Sequence, residues 1–549
     1  MDRFINNYDG KEFDLIVIGG GITGASIAYE AASRGLDVAL VEKSDFGSAT
    51  SAATSKMIHG GLRYLSTFEY ALVRESLKER RVLMNIAPNF VHPAPFVFSS
   101  YKKDKVSFNL MKIGMYLYEA FSFDKNWIWD KSKSMPSFKS LNAEQILNLF
   151  PDALSENLVG GQLYYDCSSH SPERFTLSFI KSAVKYGASV ANYTEVNDFI
   201  VENISKKKKI VKGVKVTDKI SGIKKDIKGK LVINCTGPWA DIMLDKVKNK
   251  GNHNEDLRRS EGIHFIIDKN IGDTTYSGYS KSGRHFFLHP YRNHTLVGTT
   301  DKEFIGKPKD FKVTKEAIEG LIKEVNSAYG NKEKIKYNDI LYCYGGLRPL
   351  VEDQTEESYK SSRKYEITGE KKNGIEGLIT VEGGKYTTSR MLAEKAINKV
   401  IRILKYPKKK SISETTQLFG CEIKNYKKFI EEKVQEYNKY EPHQIEYLIR
   451  CYGTEIDSIM KLAENNSNLN QKLNADGELL AEVQFAIKNE MAITLSDIIF
   501  RRMGIGLLGH PGNEIINKIT TLAAKELSWD KEKTKQEISI VEKKFEIPK

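Results

Sequence analysis

The chain has 549 residues, which is too long for one simple core and predicts two or three domains. It is 40% hydrophobic and 28% charged, as in soluble globular proteins, and has no apolar run of roughly 18 residues that could span a membrane. The net charge of +13 fits a solvated surface or attraction to an anionic membrane or acidic substrate; without any nucleic-acid-binding motif, we expect no nucleic acid partner.

The N-terminal segment and the cysteines predict a cytoplasmic protein. Residues 1–14 contain no apolar core of a signal peptide, and their three Asp and one Glu argue against a transit peptide. The five cysteines lie far apart and form no CxxC pair. This spacing fits a reducing compartment and excludes a structural zinc site, so we expect no bound metal.

A strand–helix–strand unit opens the chain. Residues 13–18 are the apolar run FDLIVI, and residues 19–35 then show the small and apolar spacing of a helix packed on a sheet. Residues 37–43 form a second apolar strand that ends in an acid. This order predicts a right-handed βαβ unit of a Rossmann-like α/β domain.

The turn inside this unit predicts a dinucleotide site. Gly19, Gly21 and Gly24 match GxGxxG, with a strand before them and a helix after. These glycines permit a tight turn, close approach to a pyrophosphate and close helix–strand packing, with the pyrophosphate at the helix N-terminus. Glu42, at the end of the second strand, would accept a hydrogen bond from a ribose 2′-hydroxyl and repel a 2′-phosphate. The pattern disfavours NADP but does not separate FAD from NAD.

The middle of the chain predicts further strands and one unusual helix. Residues 108–123 are apolar nearly all round; a buried core helix is the preferred interpretation and membrane insertion the alternative. Residues 210–236 predict an antiparallel hairpin whose last strand re-enters the parallel sheet. A second, largely antiparallel sheet is predicted from the strand-like segments 264–268, 284–290 and 295–301.

The C-terminal part changes to helical spacing of apolar residues from about position 405. We therefore predict a separate helical domain at residues 410–549, behind a lysine-rich linker. Residues 1–405 would then hold the nucleotide-binding and substrate domains, interleaved in the sequence.

Several motifs along the chain carry a family resemblance. They are TSKMIHGGLRYL at 54–65, NCTGPWAD at 234–241, SEGIH at 260–264, GTTD at 298–301, GLRPL at 346–350 and GGKYTTSR at 383–390. In this order they resemble the FAD-dependent glycerol-3-phosphate dehydrogenases, and the match extends through the C-terminal helices. The resemblance implies FAD rather than NAD. It also implies an α/β fold with a Rossmann-like FAD-binding domain, an antiparallel-sheet substrate domain and a C-terminal helical domain.

The resemblance implies a set of cofactor contacts. Small hydroxyls and backbone groups would lie beside the phosphates and the flavin, Val196 beside the adenine, and two threonines at the cap of a helix that points at the flavin. The residues are Gly19, Gly21, Thr23, Gly24, Glu42, Ser48, Thr50, Ser51, His59, Gly60, Gly61, Val196, Thr236, Gly237, Thr387 and Thr388.

The implied substrate is a phosphorylated secondary alcohol, whose phosphate needs cations on a rigid frame. By resemblance, Arg63, Arg348, Arg363 and Lys385 line this pocket and Tyr64 donates its hydroxyl; a structural ion pair is the alternative for each cation. We expect His264 to be the general base, because histidine titrates near neutral pH. Lys385 or Arg348 would stabilise the anionic reduced flavin.

The implied reaction is the oxidation of sn-glycerol-3-phosphate to dihydroxyacetone phosphate. Because the chain has one nucleotide fingerprint, the electrons would pass to a membrane quinone rather than to NAD. The protein would then lie on the membrane surface at the inner face of the cell membrane; a homodimer is left open. The alternatives are a glycerol-3-phosphate oxidase using oxygen, an amine or amino-acid oxidase of the related flavin fold, and a non-catalytic flavin-binding module. The dense set of cations argues against the amine oxidase.

Overall fold

A computed structural model of the protein describes residues 1–104, 106–205, 208–248, 257–350 and 365–549, apart from the side chains of residues 372 and 373. The described residues form two large sheets with helices around them and a helical C-terminal part.

The first sheet has a parallel centre in the order β19-β10-β1-β2-β7. Its strands are β1 (Glu12–Ile18), β2 (Val38–Val41), β7 (Ser189–Ala191), β10 (Lys224–Asn234) and β19 (Leu378–Gly383). The edges add β8 (Thr194–Ser205), β9 (Lys208–Asp218), β17 (Tyr365–Gly369) and β18 (Ile375–Glu376). Strand β9 pairs antiparallel with β10, which then runs parallel to β1, so the predicted hairpin and its return to the parallel sheet are confirmed.

Helices cover this sheet because its strands are apolar on both faces. Helices α1 (Ile22–Ser33), α5 (Pro172–Lys185) and α8 (Ser389–Leu404) share one buried core with strands β1 and β2. The other α-helices among the described residues before position 405 are α2 (Tyr70–Ile86), α3 (Phe108–Phe121), α4 (Ala143–Leu149), α6 (Ala240–Lys248) and α7 (Lys315–Asn326).

The second sheet runs in the order β15-β11-β14-β13-β12-β4-β6-β3, with β16 beside β11 and β5 beside β6. All these pairs are antiparallel except β4 with β12, so the prediction of a largely antiparallel second sheet is confirmed. Its strands are β3 (Met57–Ile58), β4 (Val91–Tyr101), β5 (Lys139–Asn142), β6 (Leu158–Ser169), β11 (Arg258–Ile267), β12 (Thr275–Tyr279), β13 (His285–Tyr291), β14 (His294–Gly298), β15 (Lys302–Glu303) and β16 (Ile340–Leu350).

The C-terminal helices share an apolar core with the second sheet. Ile266, Phe287 and Tyr342 of the sheet belong to the same buried cluster as Ile498 and Phe500 of the helical part. A π-helical turn at Asp497–Arg502 precedes the last two helices. The helices are α9 (Tyr426–Glu436), α10 (Pro442–Tyr452), α11 (Ile456–Asn465), α12 (Ala481–Glu490), α13 (Asn513–Leu527) and α14 (Lys531–Phe545).

Helix α3 departs from the sequence expectation. Its Met111, Met115 and Tyr118 are buried, but Leu110 is 54% exposed and Ile113 is 64% exposed. The preferred interpretation as a buried core helix is therefore wrong: α3 is a surface helix whose outer face is also apolar. In the part of the chain that the structure describes, no helix is long and apolar enough to cross a bilayer.

Candidate functional site

One cavity of about 1090 Å³ lies at the carboxyl ends of the parallel strands. Gly19 after β1, Glu42 after β2, Thr236 after β10 and Gly384 after β19 all line it. The carboxyl ends of parallel strands meet at one edge of a sheet, which is where open α/β sheets bind their ligands. The second sheet supplies the opposite wall through strands β4, β6, β12, β13 and β16.

The glycine turn at this edge leaves no room for side chains. A Cβ on Gly19, where φ is +104°, would lie 2.7 Å from the Cys235 carbonyl oxygen. A Cβ on Gly24 would lie 1.9 Å from the carbonyl oxygen of Gly19, so helix α1 can approach the turn only because this residue is glycine. The N-terminus of α1 opens into the cavity through Gly21 and Thr23. Its N–H groups and dipole suit a pyrophosphate there.

Glu42 is fixed at the end of β2. Its carboxylate accepts the Gly20 N–H at 2.7 Å and the Ser44 N–H at 2.9 Å. Burial raises the pKa of Glu42, while these two hydrogen bonds act in the opposite direction. A carboxylate has further acceptor positions, so Glu42 can still accept a ribose hydroxyl at the cavity wall.

Most of the predicted cofactor residues line this cavity. They are Gly19, Gly21, Thr23, Glu42, Ser48, Thr50, Ser51, His59, Gly61, Val196, Thr236, Gly237 and Thr387. The cavity volume of about 1090 Å³ is slightly above the range of about 300–1000 Å³ for small-molecule sites, as a large ligand requires. The side-chain-free turn, the helix N-terminus and the acid at the strand end together fit FAD.

Three predicted cofactor residues have packing positions instead. Gly24 lies behind the turn. A Cβ on Gly60 would lie 2.3 Å from Leu77 and from the Tyr118 hydroxyl, and the Gly60 N–H donates to Asp166 Oδ1 at 3.1 Å. Thr388 is buried and occupies the N-cap position of α8, where its side chain makes no capping hydrogen bond.

Arg63, Arg348 and Lys385 come from distant parts of the chain and line the same cavity. Asp301 lies between the two guanidinium groups, 3.8 Å from Arg63 Nη1 and 3.9 Å from Arg348 Nη1. Tyr64 lies between the other pair, with Arg63 Cζ 5.0 Å and Lys385 Nζ 4.4 Å from its ring centroid. The three cations therefore form a positively charged wall that can hold a phosphate.

Hydrogen bonds hold two of these cations in place. The Arg348 guanidinium donates to Thr299 Oγ1 at 2.9 Å and to the Thr300 carbonyl at 3.1 Å. The Lys385 ammonium donates to Ser76 Oγ at 2.7 Å, and burial lowers the pKa of Lys385. The predicted Arg363 lies outside the described residues.

His264 is fully buried in β11 and lies one layer behind the cavity wall. Its Nε2 is 3.0 Å from the hydroxyl of Ser55, which does line the cavity, and its ring stacks on Tyr344. Burial lowers the pKa of His264 well below its usual value, and the charges of Arg348 and Lys56 act in the same direction. His264 therefore reaches the cavity only through the Ser55 hydroxyl.

Two other histidines line the cavity directly. His59 accepts the Gly61 N–H through Nδ1 at 3.1 Å, and burial lowers its pKa to about 4. His285 lies 2.6 Å from Ser277 Oγ through Nε2, and burial lowers its pKa to about 4 as well.

Sequence reasoning did not assign roles to Ser55, Asp301 or His285. Ser55 and Asp301 stand inside two of the quoted motifs, so the signal was present for both. His285 lies in a strand pattern without a motif, and only the folded sheet brings it to the cavity.

Residues 14–384 match the model of a family described as FAD dependent oxidoreductase, and residues 411–534 match the C-terminal domain of alpha-glycerophosphate oxidase. The chain is 32% identical to a glycerol-3-phosphate dehydrogenase of Mycobacterium leprae, with 96% of this chain and 87% of the relative covered. It is 31% identical to the aerobic glycerol-3-phosphate dehydrogenase of Staphylococcus haemolyticus, with 91% and 88% covered.

The fold resembles the crystal structure of a glycerol-3-phosphate dehydrogenase from Bacillus halodurans, solved with FAD. The TM-score is 0.77 and the identity 25%, with 98% of this chain and 96% of that chain covered. A glycine oxidase from Geobacillus kaustophilus shares the fold over 71% of this chain and 95% of its own, with a TM-score of 0.51 and 18% identity.

Proposed function

Since the chain belongs to the FAD-dependent glycerol-3-phosphate dehydrogenases, we propose that it oxidises sn-glycerol-3-phosphate to dihydroxyacetone phosphate and passes the electrons to a membrane quinone. The observation that carries the proposal is the meeting of Arg63, Arg348 and Lys385 in the cavity that also contains the glycine turn. A phosphate-bearing substrate needs such cations, whereas a site for an amino acid carboxylate needs fewer.

FAD, when bound, supplies the acceptor for the hydride that leaves the C2 carbon. The protein would position the substrate and supply the positive charge that binds its phosphate. Arg63 and Arg348 offer planar guanidinium donors to the phosphate, and Lys385 adds a point charge. Their fixed orientation would hold C2 in one place, which is the main contribution of binding groups to such a reaction. Lys385 or Arg348 would also balance the negative charge of the reduced flavin.

For the general base we propose His264 acting through Ser55. The C2 hydroxyl proton would move to Ser55 Oγ while the Ser55 proton moves to His264 Nε2, across the 3.0 Å contact between them. The lowered pKa of His264 keeps its imidazole neutral, which is the form that accepts a proton, but makes it a weaker base. His59 is the second candidate, because it lines the cavity itself.

The route to a quinone is supported by the outer face of α3. Leu110, Ile113 and Leu117 of α3, together with Phe68 from the segment before α2, are exposed apolar residues, and all of them line the cavity. Trp127, which follows the end of α3, is 63% exposed. Exposed apolar and aromatic side chains of this kind favour the interface of a bilayer. We therefore propose that the protein lies on the inner face of the cell membrane, with the side of the cavity lined by α3 toward the lipid.

The decisive experiment is anaerobic addition of glycerol-3-phosphate to the yellow protein, followed by reoxidation with a quinone analogue or with oxygen, each timed separately. We expect bleaching by the substrate and fast reoxidation by the quinone only. Fast reoxidation by oxygen with stoichiometric peroxide would establish the oxidase instead. A flavin that this substrate does not bleach would contradict the proposed function.

The same experiment identifies the base. His264→Asn and His59→Asn should both bind substrate, and the rate of bleaching should fall by about 100-fold or more in the variant that lacks the base. Ser55→Ala should match His264→Asn if the serine passes the proton. Loss of bleaching in His59→Asn alone would remove His264 from the reaction.

A further inference from the structure

Residues 43–51, which connect β2 to the segment before β3, form a loop that we call the cofactor loop. Ser48, Thr50 and Ser51 of this loop line the cavity. The loop is held to the glycine turn and the start of α1, since Ser51 Oγ accepts the Ile22 N–H at 2.9 Å and the Gly47 N–H donates to the Gly20 carbonyl at 2.9 Å. The shape of the FAD site therefore depends on where this loop lies.

Asp45, near the start of the cofactor loop, is fully buried and pairs with arginines of the C-terminal helical part. Arg501 Nε donates to its Oδ2 at 2.7 Å. Arg502 donates to both carboxylate oxygens, at 2.8 Å and 2.9 Å, which is the bidentate geometry of a strong pair. These two arginines hold the pKa of Asp45 far below its usual range, so the carboxylate is ionised.

The two arginines are themselves fixed by the helical part. Arg501 pairs with Asp497 in the π-helical turn, and Tyr193 donates to the same carboxylate at 2.6 Å. Arg502 donates to the Glu490 carbonyl at 2.8 Å, at the end of α12. The cluster is thus a rigid anchor and not a contact between mobile surface side chains.

We propose that Arg501 and Arg502 are positioning residues for FAD, so that the C-terminal helical part forms an indirect component of the cofactor site. They lie 456 and 457 residues from Asp45 in the sequence, and neither lines the cavity. Loss of Arg502 would remove both hydrogen bonds of the bidentate pair and leave the buried carboxylate of Asp45 with one arginine instead of two. Because a buried charge with fewer partners is unfavourable, Asp45 would move, and the cofactor loop with it. FAD binding would then have to restore the order of the loop, which weakens affinity.

The test measures FAD affinity and overall stability separately. FAD dissociation is followed by the rise of flavin fluorescence on dilution of the holoenzyme, and unfolding by circular dichroism at saturating FAD. The main variants are Arg502→Met, Arg502→Lys and Asp45→Asn. The control is Arg292→Met, because Arg292 pairs with Asp476 and Glu478 in another buried cluster between the second sheet and the helical part.

We expect Arg502→Met to raise the Kd for FAD about tenfold or more and Arg502→Lys to raise it less. Arg292→Met should lower the melting temperature and leave the Kd within about twofold. Unchanged FAD affinity in Arg502→Met, with only a lower melting temperature, would overturn the proposal. If Arg502→Met does not fold, Asp45→Asn replaces it, because this change keeps the size of the side chain. We expect Asp45→Asn to raise the Kd for FAD as well, and unchanged FAD affinity in this variant would likewise overturn the proposal. The readout needs no substrate, so it is independent of the proposed reaction.

Discussion

Arg348 reaches the cavity across Gly262, which faces Gly346 in the register of β11 with β16. A Cβ on Gly262 would lie 2.0 Å from a guanidinium nitrogen of Arg348. The space that this glycine leaves empty is therefore the space that the guanidinium occupies. The position of the cation depends on its neighbour as much as on its own backbone.

The change Gly262→Ala should therefore displace Arg348 without removing its charge. Since a charge-assisted hydrogen bond contributes about 1.5–3 kcal/mol, we expect KM for glycerol-3-phosphate to rise roughly ten- to hundredfold, with FAD retained. Steady-state kinetics measure KM, and the flavin absorbance spectrum measures how much FAD is retained. Gly278→Ala is the matched control, because its Cβ would meet its nearest neighbour only at 3.8 Å. Equal KM values in the two variants would contradict this account of Arg348.

For single residues, the sequence motifs predicted the positions of the three cations better than the position of the general base. Arg63, Arg348 and Lys385 lie in motifs that the sequence shows directly, and all three reach the cavity. The depth of His264 could not be predicted. A strand directs neighbouring side chains to opposite faces, and only the folded sheet shows that His264 lies against Tyr344, behind Ser55.

Among the elements, helix α3 has apolar side chains on two opposite faces. The inner face carries Met111, Met115 and Tyr118, and the outer face carries Leu110 and Ile113. Because both faces are apolar, the sequence has no periodicity that tells core from surface. The glycine turn and the β9–β10 hairpin were predictable for the opposite reason, since their small residues and alternation have strong local requirements.

The change Ile113→Glu should weaken binding to vesicles of anionic lipid. Burial of an isoleucine side chain contributes about 1.5–3 kcal/mol, and the added charge is unfavourable in addition, so we expect at least a tenfold loss of partitioning. Co-sedimentation with vesicles measures it. Ile403→Glu, at a 49% exposed isoleucine on α8, is the control and should bind vesicles like the unmodified protein. Similar partitioning of both variants would exclude α3 as the membrane-facing helix.

For the whole molecule, the architecture followed from a few strong local signals, whereas the contacts between distant segments did not. The βαβ unit and the alternating strands fix the two sheets. The pairing of Asp45 with Arg501 and Arg502 joins residues that no local pattern connects. Long-range buried ion pairs depend on the final packing, which explains why sequence reasoning missed them.

Buried histidines should make the folded protein sensitive to acid. Burial lowers the pKa of His59, His285 and His289 to about 4 in the folded state, whereas an unfolded histidine has a pKa of about 6.5. Between these values the unfolded chain binds more protons, so the free energy of unfolding falls as the pH falls from about 6.5 to about 4.

Calorimetry at several pH values should show this fall in melting temperature, with proton uptake on unfolding near pH 5. His289→Asn should reduce the uptake, and His443→Asn, at a side chain that is 54% exposed, is the control. A melting temperature that stays constant across this range would be incompatible with neutral buried histidines.

The carboxylate of Asp301, between Arg63 and Arg348, has a consequence for turnover. It acts as a built-in counter-anion, so an incoming phosphate competes with a charge that is already there. The same competition applies when the oxidised molecule departs with its phosphate intact. A site with the cations alone would hold both molecules more tightly, and the internal anion therefore favours rapid exchange over tight retention.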